Sequence, residues 1–172
     1  RGLHILAGGA RGMAHIGVIR ELERQNLRPD LIVGTSVGAI VGAMYAQSLD
    51  IDRVEDKISE FISRYGTGGK WLQFLEKLES EQKEDLIHNI SNYIMKHFIR
   101  IRSITAVALE EKDVLFEPLN EFLSDSEIES TKIPFAAVAV DLRSGTEAVL
   151  TSGPIIKAVY GSASVQGVFP PL

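Results

Sequence analysis

The sequence predicts an α/β domain with three layers, in which helices cover a central, largely parallel sheet. Short apolar runs at residues 3–7 and 31–33 alternate with helical patterns at 13–24 and 39–47, and the connections are short. This alternation is typical of parallel sheets, whose strands read as continuous apolar runs because both of their faces are buried. Each apolar run is also followed by a glycine-containing turn, which places a tight turn at the same end of two strands.

The remaining elements suggest that a helical insertion interrupts the sheet. Asp50 or Asp52 could cap the next helix, and the polar middle of the chain has mostly helical patterns. In the middle of the chain, the predicted elements are a helix carrying Val54, Ile58, Phe61 and Ile62, an apolar segment at 71–78, a helix from Ser80 and a helix at 118–123. Two strands follow at 133–142 and 147–150, joined by a turn. A final helix has Pro154 in its first turn and reaches Tyr160.

Composition narrows the class of protein. The 172 residues are 45% hydrophobic and 24% charged, without repeats or a linker, so we predict one domain over residues 1–172. A net charge of -5 argues against a nucleic-acid surface, which needs a basic stripe. The absence of cysteine excludes thiolate catalysis and cysteine metal sites, and no other residues have metal-site spacing, so neither a metal nor an organic cofactor is predicted.

The chain contains no signal-peptide pattern and no apolar run of the roughly 20 residues that span a bilayer. We therefore expect a cytoplasmic protein, and peripheral contact with the inner membrane face through a small apolar or basic patch is compatible with this. Residues 71–78 could form such a contact or a lid, with Lys96, Arg100 and Arg102 attracting anionic headgroups. We favour the alternative that these apolar residues are core and these charges a solvated face.

Residues 34–38, Gly-Thr-Ser-Val-Gly, fit the pattern G-x-S-x-G at a strand-to-helix junction. A nucleophilic serine needs a strained turn that exposes its hydroxyl, and Gly34 and Gly38 would remove side chains that crowd the bend. The N-terminus of the following helix favours developing negative charge there. Ser36 is therefore a candidate nucleophile, the alternative being a buried serine that caps an ordinary α/β turn.

The glycine-rich segment 8–12 follows the first strand and opens the first helix. If the first two strands are neighbours, this turn lies at the same sheet edge as Ser36, and its backbone N–H groups could form an oxyanion hole. A dinucleotide site would require glycine at Ala7 and an acid after the second strand, and a phosphate-binding P-loop would require a following Lys-Ser/Thr. Both alternatives are disfavoured because the chain lacks these residues.

Residues 7–18 and 29–40 resemble the opening of bacterial patatin-like phospholipases. Similar resemblances are the Ile-Pro-Phe at Ile133, the Val-Asp-Leu around Asp141, and residues 161–172, Gly-Ser-Ala-Ser-Val-Gln-Gly-Val-Phe-Pro-Pro-Leu. The resemblance covers both ends of the chain and hardly extends into residues 50–128. It implies a patatin-like fold and hydrolysis of fatty acyl esters of phospholipids, lysophospholipids or similar lipids.

The resemblance also implies roles for individual residues. The family uses a Ser-Asp dyad without histidine, and the nucleophile of that dyad corresponds to Ser36. The amides of Gly8, Gly9 and Ala10 correspond to the oxyanion donors and Arg11 to the basic residue of the turn. Supporting positions in the same two motifs are Gly12, Gly34 and Gly38. Departures from the family pattern are Ala7 in place of a glycine and Gln166 in place of a proline.

The acid of the family's dyad lies in an Asp-Gly-Gly or Asp-Gly-Ala motif, and the chain contains no Asp-Gly. We expect this aspartate beyond Leu172 in a longer natural protein; the alternative is a non-catalytic lipid- or acyl-binding pseudoenzyme. An acyltransferase with the same serine is a third hypothesis. Head group, chain-length preference and oligomeric state remain open.

Asp141 and the four histidines are further candidates for the catalytic partner of Ser36. By the family resemblance, Asp141 ends the Val-Asp-Leu strand, and we expect it to have a structural or turn-capping role rather than to act as the acid. A histidine triad is disfavoured because only one strand precedes the strand that leads into Ser36, and because no histidine follows residue 97. The four histidines are His4, His15, His88 and His97.

Overall fold

The computed structural model describes residues 1–5, 12–65 and 112–164, which contain a four-stranded sheet. The strands are β1 (Gly2–Ile5), β2 (Leu31–Thr35), β3 (Phe135–Asp141) and β4 (Thr146–Leu150), and they lie side by side in this order. β1, β2 and β3 are parallel, whereas β4 returns antiparallel to β3 through a tight turn. The condition for bringing the two glycine-containing turns to one sheet edge, that the first two strands are neighbours, is therefore met.

Five α-helices lie within the described residues. α2 and α5 pack on one face of the sheet, and the other three pack against these two. The helices are α1 (Ala14–Arg24), α2 (Val37–Ser48), α3 (Ile51–Tyr65), α4 (Lys112–Phe122) and α5 (Ile155–Ala163), with a short 3-10 helix at Ile128–Ser130. The predicted α/β fold with a mostly parallel sheet and flanking helices is confirmed.

The other face of the sheet is partly exposed in the described part of the chain. Three strand residues whose side chains lie on this face are 38%, 55% and 51% exposed, namely Leu31 of β2, Val140 of β3 and Val149 of β4. Residues 66–111, which contain much of the predicted helical insertion, lie outside the described residues. They include the segment at 71–78, the helix from Ser80, and the charged residues Lys96, Arg100 and Arg102.

α2 is the centre of the core because it is apolar on all sides. Every residue from 37 to 46 is buried, which is the pattern of a helix enclosed by neighbouring elements. Gly42 faces the sheet, where a Cβ atom would lie 2.9 Å from Ile32 Cγ2 and 3.4 Å from Phe135 Cε2. Small residues on this helix therefore let its backbone approach the strands, and its N-terminus is held at the carboxyl end of β2.

Two boundaries differ from, or refine, the sequence predictions. The prediction that a helix begins at Pro118 is wrong: α4 begins at Lys112 and contains this proline. Leu115 and Leu119, one turn apart, are fully buried, and their burial outweighs the hydrogen bond that Pro118 cannot donate. At the start of α3, Asp50 rather than Asp52 is the cap, since its carboxylate accepts the Arg53 N–H at 3.0 Å.

Candidate active site

Ser36 occupies the single residue between β2 and α2 and has an unusual backbone conformation. Its φ is 55° and its ψ is -125°. These are the angles of the first central residue of a type II′ turn, a position that glycine dominates. A side chain in this region is strained by about 1–3 kcal/mol, and such strain clusters at functional sites.

The hydroxyl of Ser36 does not cap the helix that it precedes. The Ser36 carbonyl accepts the first helical hydrogen bonds, from the N–H groups of Ala39 at 2.8 Å and Ile40 at 3.2 Å. The side chain is half-buried, yet it makes no capping bond, and no atom of the described residues hydrogen-bonds to its hydroxyl. Within the described residues, the Ser36 side chain therefore does not act as a helix cap.

The glycines on either side of Ser36 allow three backbone segments to meet. A Cβ atom on Gly34 would lie 2.7 Å from the Gly38 carbonyl oxygen and 2.8 Å from the Ala39 nitrogen. A Cβ atom on Gly38 would lie 2.8 Å from the carbonyl carbon of Ile5 and closer still to its oxygen. β2 thus passes directly over the first turn of α2, and that turn passes directly over the end of β1.

The glycine-rich segment is bracketed by described residues that contact this same turn of α2. Gly8, Gly9, Ala10 and Arg11 lie outside the described residues. On one side of them, the Ile5 backbone abuts Gly38. On the other side, a Cβ atom on Gly12 would lie 2.9 Å from Val37 Cγ1. The chain therefore leaves β1 and enters α1 beside the two residues that follow Ser36.

Ser162 forms a contact with the site that the sequence analysis missed. The Ser36 N–H donates to Ser162 Oγ at 3.0 Å, and the Ser162 hydroxyl donates to the Val138 carbonyl at 2.6 Å. Because the Ser36 N–H is occupied, an oxyanion hole at this site would need other amides. The only sequence signal at Ser162 is that it lies in segment 161–172, which resembles the patatin-like family.

The carboxylate of Asp141 is engaged in hydrogen bonds within the turn between β3 and β4. Its carboxylate accepts the Arg143 N–H at 2.9 Å and the Ser144 hydroxyl at 2.9 Å. These hydrogen bonds, the Arg143 N–H first, lower the pKa of Asp141 below its ordinary value. Asp141 also lies three residues beyond Val138, about 10 Å further along the strand. The predicted turn-capping role is confirmed.

We predict that Asp141→Ala leaves the reactivity of Ser36 unchanged. The substitution removes a carboxylate that serves the exposed hairpin turn, so thermal stability falls slightly while the rate of serine labelling by a fluorophosphonate stays at the wild-type value. Asp141→Asn is the control, because its amide oxygen can still accept the Arg143 N–H and should preserve stability. A large loss of labelling in both variants at unchanged stability would instead identify Asp141 as a catalytic partner.

Among the histidines, His4 is exposed on β1 and His15 is half-buried in the first turn of α1. Neither hydrogen-bonds to Ser36, and His88 and His97 lie outside the described residues. Within the described ranges, no group of three His, Asp or Glu side chains could hold a metal ion. In the same part of the chain, no helix combines the length and the apolar character that crossing a membrane requires.

The amino-acid sequence is also similar to those of known proteins. A family model described as "Patatin-like phospholipase" matches residues 5–172. "Lysophospholipase nte1" of Aspergillus fumigatus is 28% identical over 171 residues, "Lysophospholipase NTE1" of Mycosarcoma maydis 29%, and "Neuropathy target esterase sws" of Drosophila persimilis 27%. Each alignment covers 99% of this chain but 10%, 8% and 10% of the respective relative. The chain thus spans about a tenth of the length of these relatives or less.

Proposed function

Because the chain belongs to the patatin-like phospholipase family, we propose that it is a serine lipid acyl hydrolase with Ser36 as its nucleophile. The substrates would be fatty acyl esters of phospholipids or lysophospholipids. The names of the relatives, lysophospholipases and neuropathy target esterases, favour a lysophospholipid among these.

The observation that carries this proposal is the strained backbone of Ser36. A serine with φ 55° and ψ -125° between a buried strand and a buried helix is the arrangement of a nucleophile elbow. Strain of this kind persists where the surroundings enforce it, and here Gly34 and Gly38 permit the close packing that does so. The N-terminus of α2 adds a partial positive charge beside the hydroxyl.

The proposed reaction has two steps. Ser36 Oγ attacks the ester carbonyl and gives its proton to an acid-base partner, which passes that proton to the leaving oxygen, so that the alcohol of the lipid departs and an acyl-enzyme remains. Water then attacks the acyl carbonyl and gives a proton to the same partner, which returns a proton to Ser36 Oγ as the acyl bond to serine breaks and the fatty acid leaves. The amides of Gly8, Gly9 and Ala10 would stabilise the oxyanion in both steps, each donor being worth about 3–4 kcal/mol.

The proton acceptor is assigned by family resemblance to an aspartate in an Asp-Gly motif. No Asp-Gly dipeptide occurs in these residues, and Asp141 is engaged in its turn. We therefore propose that the aspartate lies in a part of the natural protein outside residues 1–172, and that these residues form one domain with it. Arg11 and Gly12 would support the oxyanion turn, and contact with lipid would be peripheral, at the cytoplasmic side of a membrane.

Labelling of the full-length natural protein with a fluorophosphonate probe tests this proposal. We expect one adduct, which mass spectrometry maps to the peptide containing Ser36, and release of fatty acid from lysophosphatidylcholine. Protein unfolded in urea is the control, since a serine without its fold should not react. A folded protein that takes up no probe would overturn the hydrolase proposal and favour a lipid-binding domain. Transfer of the acyl group to an added alcohol in preference to water would instead identify an acyltransferase.

A further inference from the structure

We propose that Ser162 is a positioning residue whose hydroxyl holds the Ser36 backbone in the geometry required for nucleophilic attack. This inference rests on the proposed function, because it concerns the same nucleophile. It starts from the two hydrogen bonds that link the Ser36 N–H through the Ser162 hydroxyl to the Val138 carbonyl.

The Ser162 hydroxyl takes the place of one backbone hydrogen bond between β2 and β3. In the parallel pair of β2 and β3, alternate residues of β2 donate to β3, and the Ile32 N–H donates to the Pro134 carbonyl at 2.9 Å. Continuing two residues at a time, the Ser36 N–H would donate to the Val138 carbonyl. Instead, these two groups are joined through the hydroxyl, which accepts from the first and donates to the second. The hydroxyl is therefore inserted into the ladder where β2 ends.

This insertion keeps the two strands apart at the nucleophile. A direct N–H···O rung has its heavy atoms about 2.9 Å apart, whereas the path through the hydroxyl consists of two such bonds. Without the hydroxyl, Ser36 must either move toward β3 to donate directly or leave two backbone groups unpaired. Either change alters the backbone at a residue whose φ is already 55°.

Ser162 differs in this respect from Ser48 and Ser164, which lie at the ends of α2 and α5. The hydroxyls of Ser48 and Ser164 bond to the carbonyl four residues earlier, at 2.9 Å from Met44 and 2.7 Å from Tyr160. That back-bonding is the usual local choice for a helical serine. The Ser162 hydroxyl instead connects two other segments, so its role is tied to the junction rather than to its own helix.

The test compares Ser162→Ala, Ser162→Thr and Ser164→Ala in the full-length protein. Ser164→Ala is the matched control, because it removes a hydroxyl two residues away that donates to the Tyr160 carbonyl of its own helix. Ser162→Thr retains a hydroxyl. The measurements are the second-order rate of fluorophosphonate labelling, kcat and KM for a lysophospholipid, and amide hydrogen exchange at Ser36 by fragmentation mass spectrometry.

Ser162→Ala is expected to lower the labelling rate and kcat by about 10- to 100-fold, the scale of a displacement near 1 Å at a reacting group. KM should change little, exchange at Ser36 should accelerate, and Ser162→Thr should restore most of the rate. A wild-type rate in Ser162→Ala, or an equal loss in Ser164→Ala, would overturn the inference and leave the hydrolase proposal intact. If the wild type does not label at all, the proposed function fails, and unchanged exchange at Ser36 in Ser162→Ala would then overturn the positioning role independently.

Discussion

Replacement of Gly38 by alanine is expected to lower the free energy of unfolding by at least about 3 kcal/mol, the upper end of the range for overpacked cores. The new methyl group would lie 2.8 Å from the Ile5 carbonyl carbon and nearer still to its oxygen. Both atoms belong to the backbone of a strand paired with β2, so neither can turn aside as a side-chain end could. Either β1 or the first turn of α2 has to move.

The matched control is Gly17→Ala in α1. Gly17 also lies within a helix, but no atom is within 4 Å of the position that its Cβ would take. There alanine should raise stability by about 0.5–1 kcal/mol, because glycine is the poorer helix former. The same substitution is thus expected to have opposite signs at two helical positions.

Urea unfolding followed by circular dichroism measures both effects. A natural domain has about 5–15 kcal/mol of stability in total, so the Gly38→Ala protein should unfold at a clearly lower urea concentration or fail to accumulate in soluble form. The displaced Ile5 leads directly into the glycine-rich segment, and labelling of Ser36 should fall in any protein that does fold. Equal stability of Gly38→Ala and wild type would mean that α2 and β1 are not packed backbone to backbone.

The motifs at residues 34–38 and 8–12 were the features most open to sequence reasoning. Short apolar runs and helical periodicity are local properties, and parallel strands place their following turns at one edge. The junction at Ser36 and the need for small residues at Gly34 and Gly38 follow from these local rules. The pairing of β1 with β2 was only a condition of the prediction, and the approach of Gly38 to Ile5 is visible only in the structure. The expectation that Asp141 has a structural or turn-capping role came instead from the family resemblance, in which this position ends the Val-Asp-Leu strand.

The role of Ser162 could not be predicted in this way, because it depends on three elements meeting. Ser162 and Ser36 are 126 residues apart in the chain. Their contact requires the register of β3 against β2 and the placement of α5 over both, which no local pattern encodes. The prediction of where α4 begins was wrong for a related reason. A proline is a strong local signal for the end of a helix, and only the burial of Leu115 and Leu119 in the tertiary core outweighs it.

Replacement of Ser36 by glycine is expected to abolish catalysis and to stabilise the fold. Loss of the nucleophile in serine hydrolases lowers kcat by about a million-fold, so fluorophosphonate labelling and fatty acid release should both disappear. The Ser36 backbone lies in a region that glycine adopts without strain. Relief of about 1–3 kcal/mol of strain, less about 0.5–1 kcal/mol for the greater entropy of unfolded glycine, predicts a gain of about 1 kcal/mol.

Ser36→Ala separates the two effects. It removes the hydroxyl and should be as inactive as the glycine variant, but it keeps a Cβ atom and hence the strain at φ 55°. Ser36→Gly should therefore unfold at a higher urea concentration than both Ser36→Ala and the wild type. If glycine and alanine at this position gave equal stability, the backbone of Ser36 would not be strained, and the main structural support for a nucleophile elbow would be lost. If Ser36→Gly gains stability and also loses labelling, the serine is retained at a cost to the stability of the fold. Selection for a reactive hydroxyl predicts this result, whereas a purely structural turn would not require a serine there.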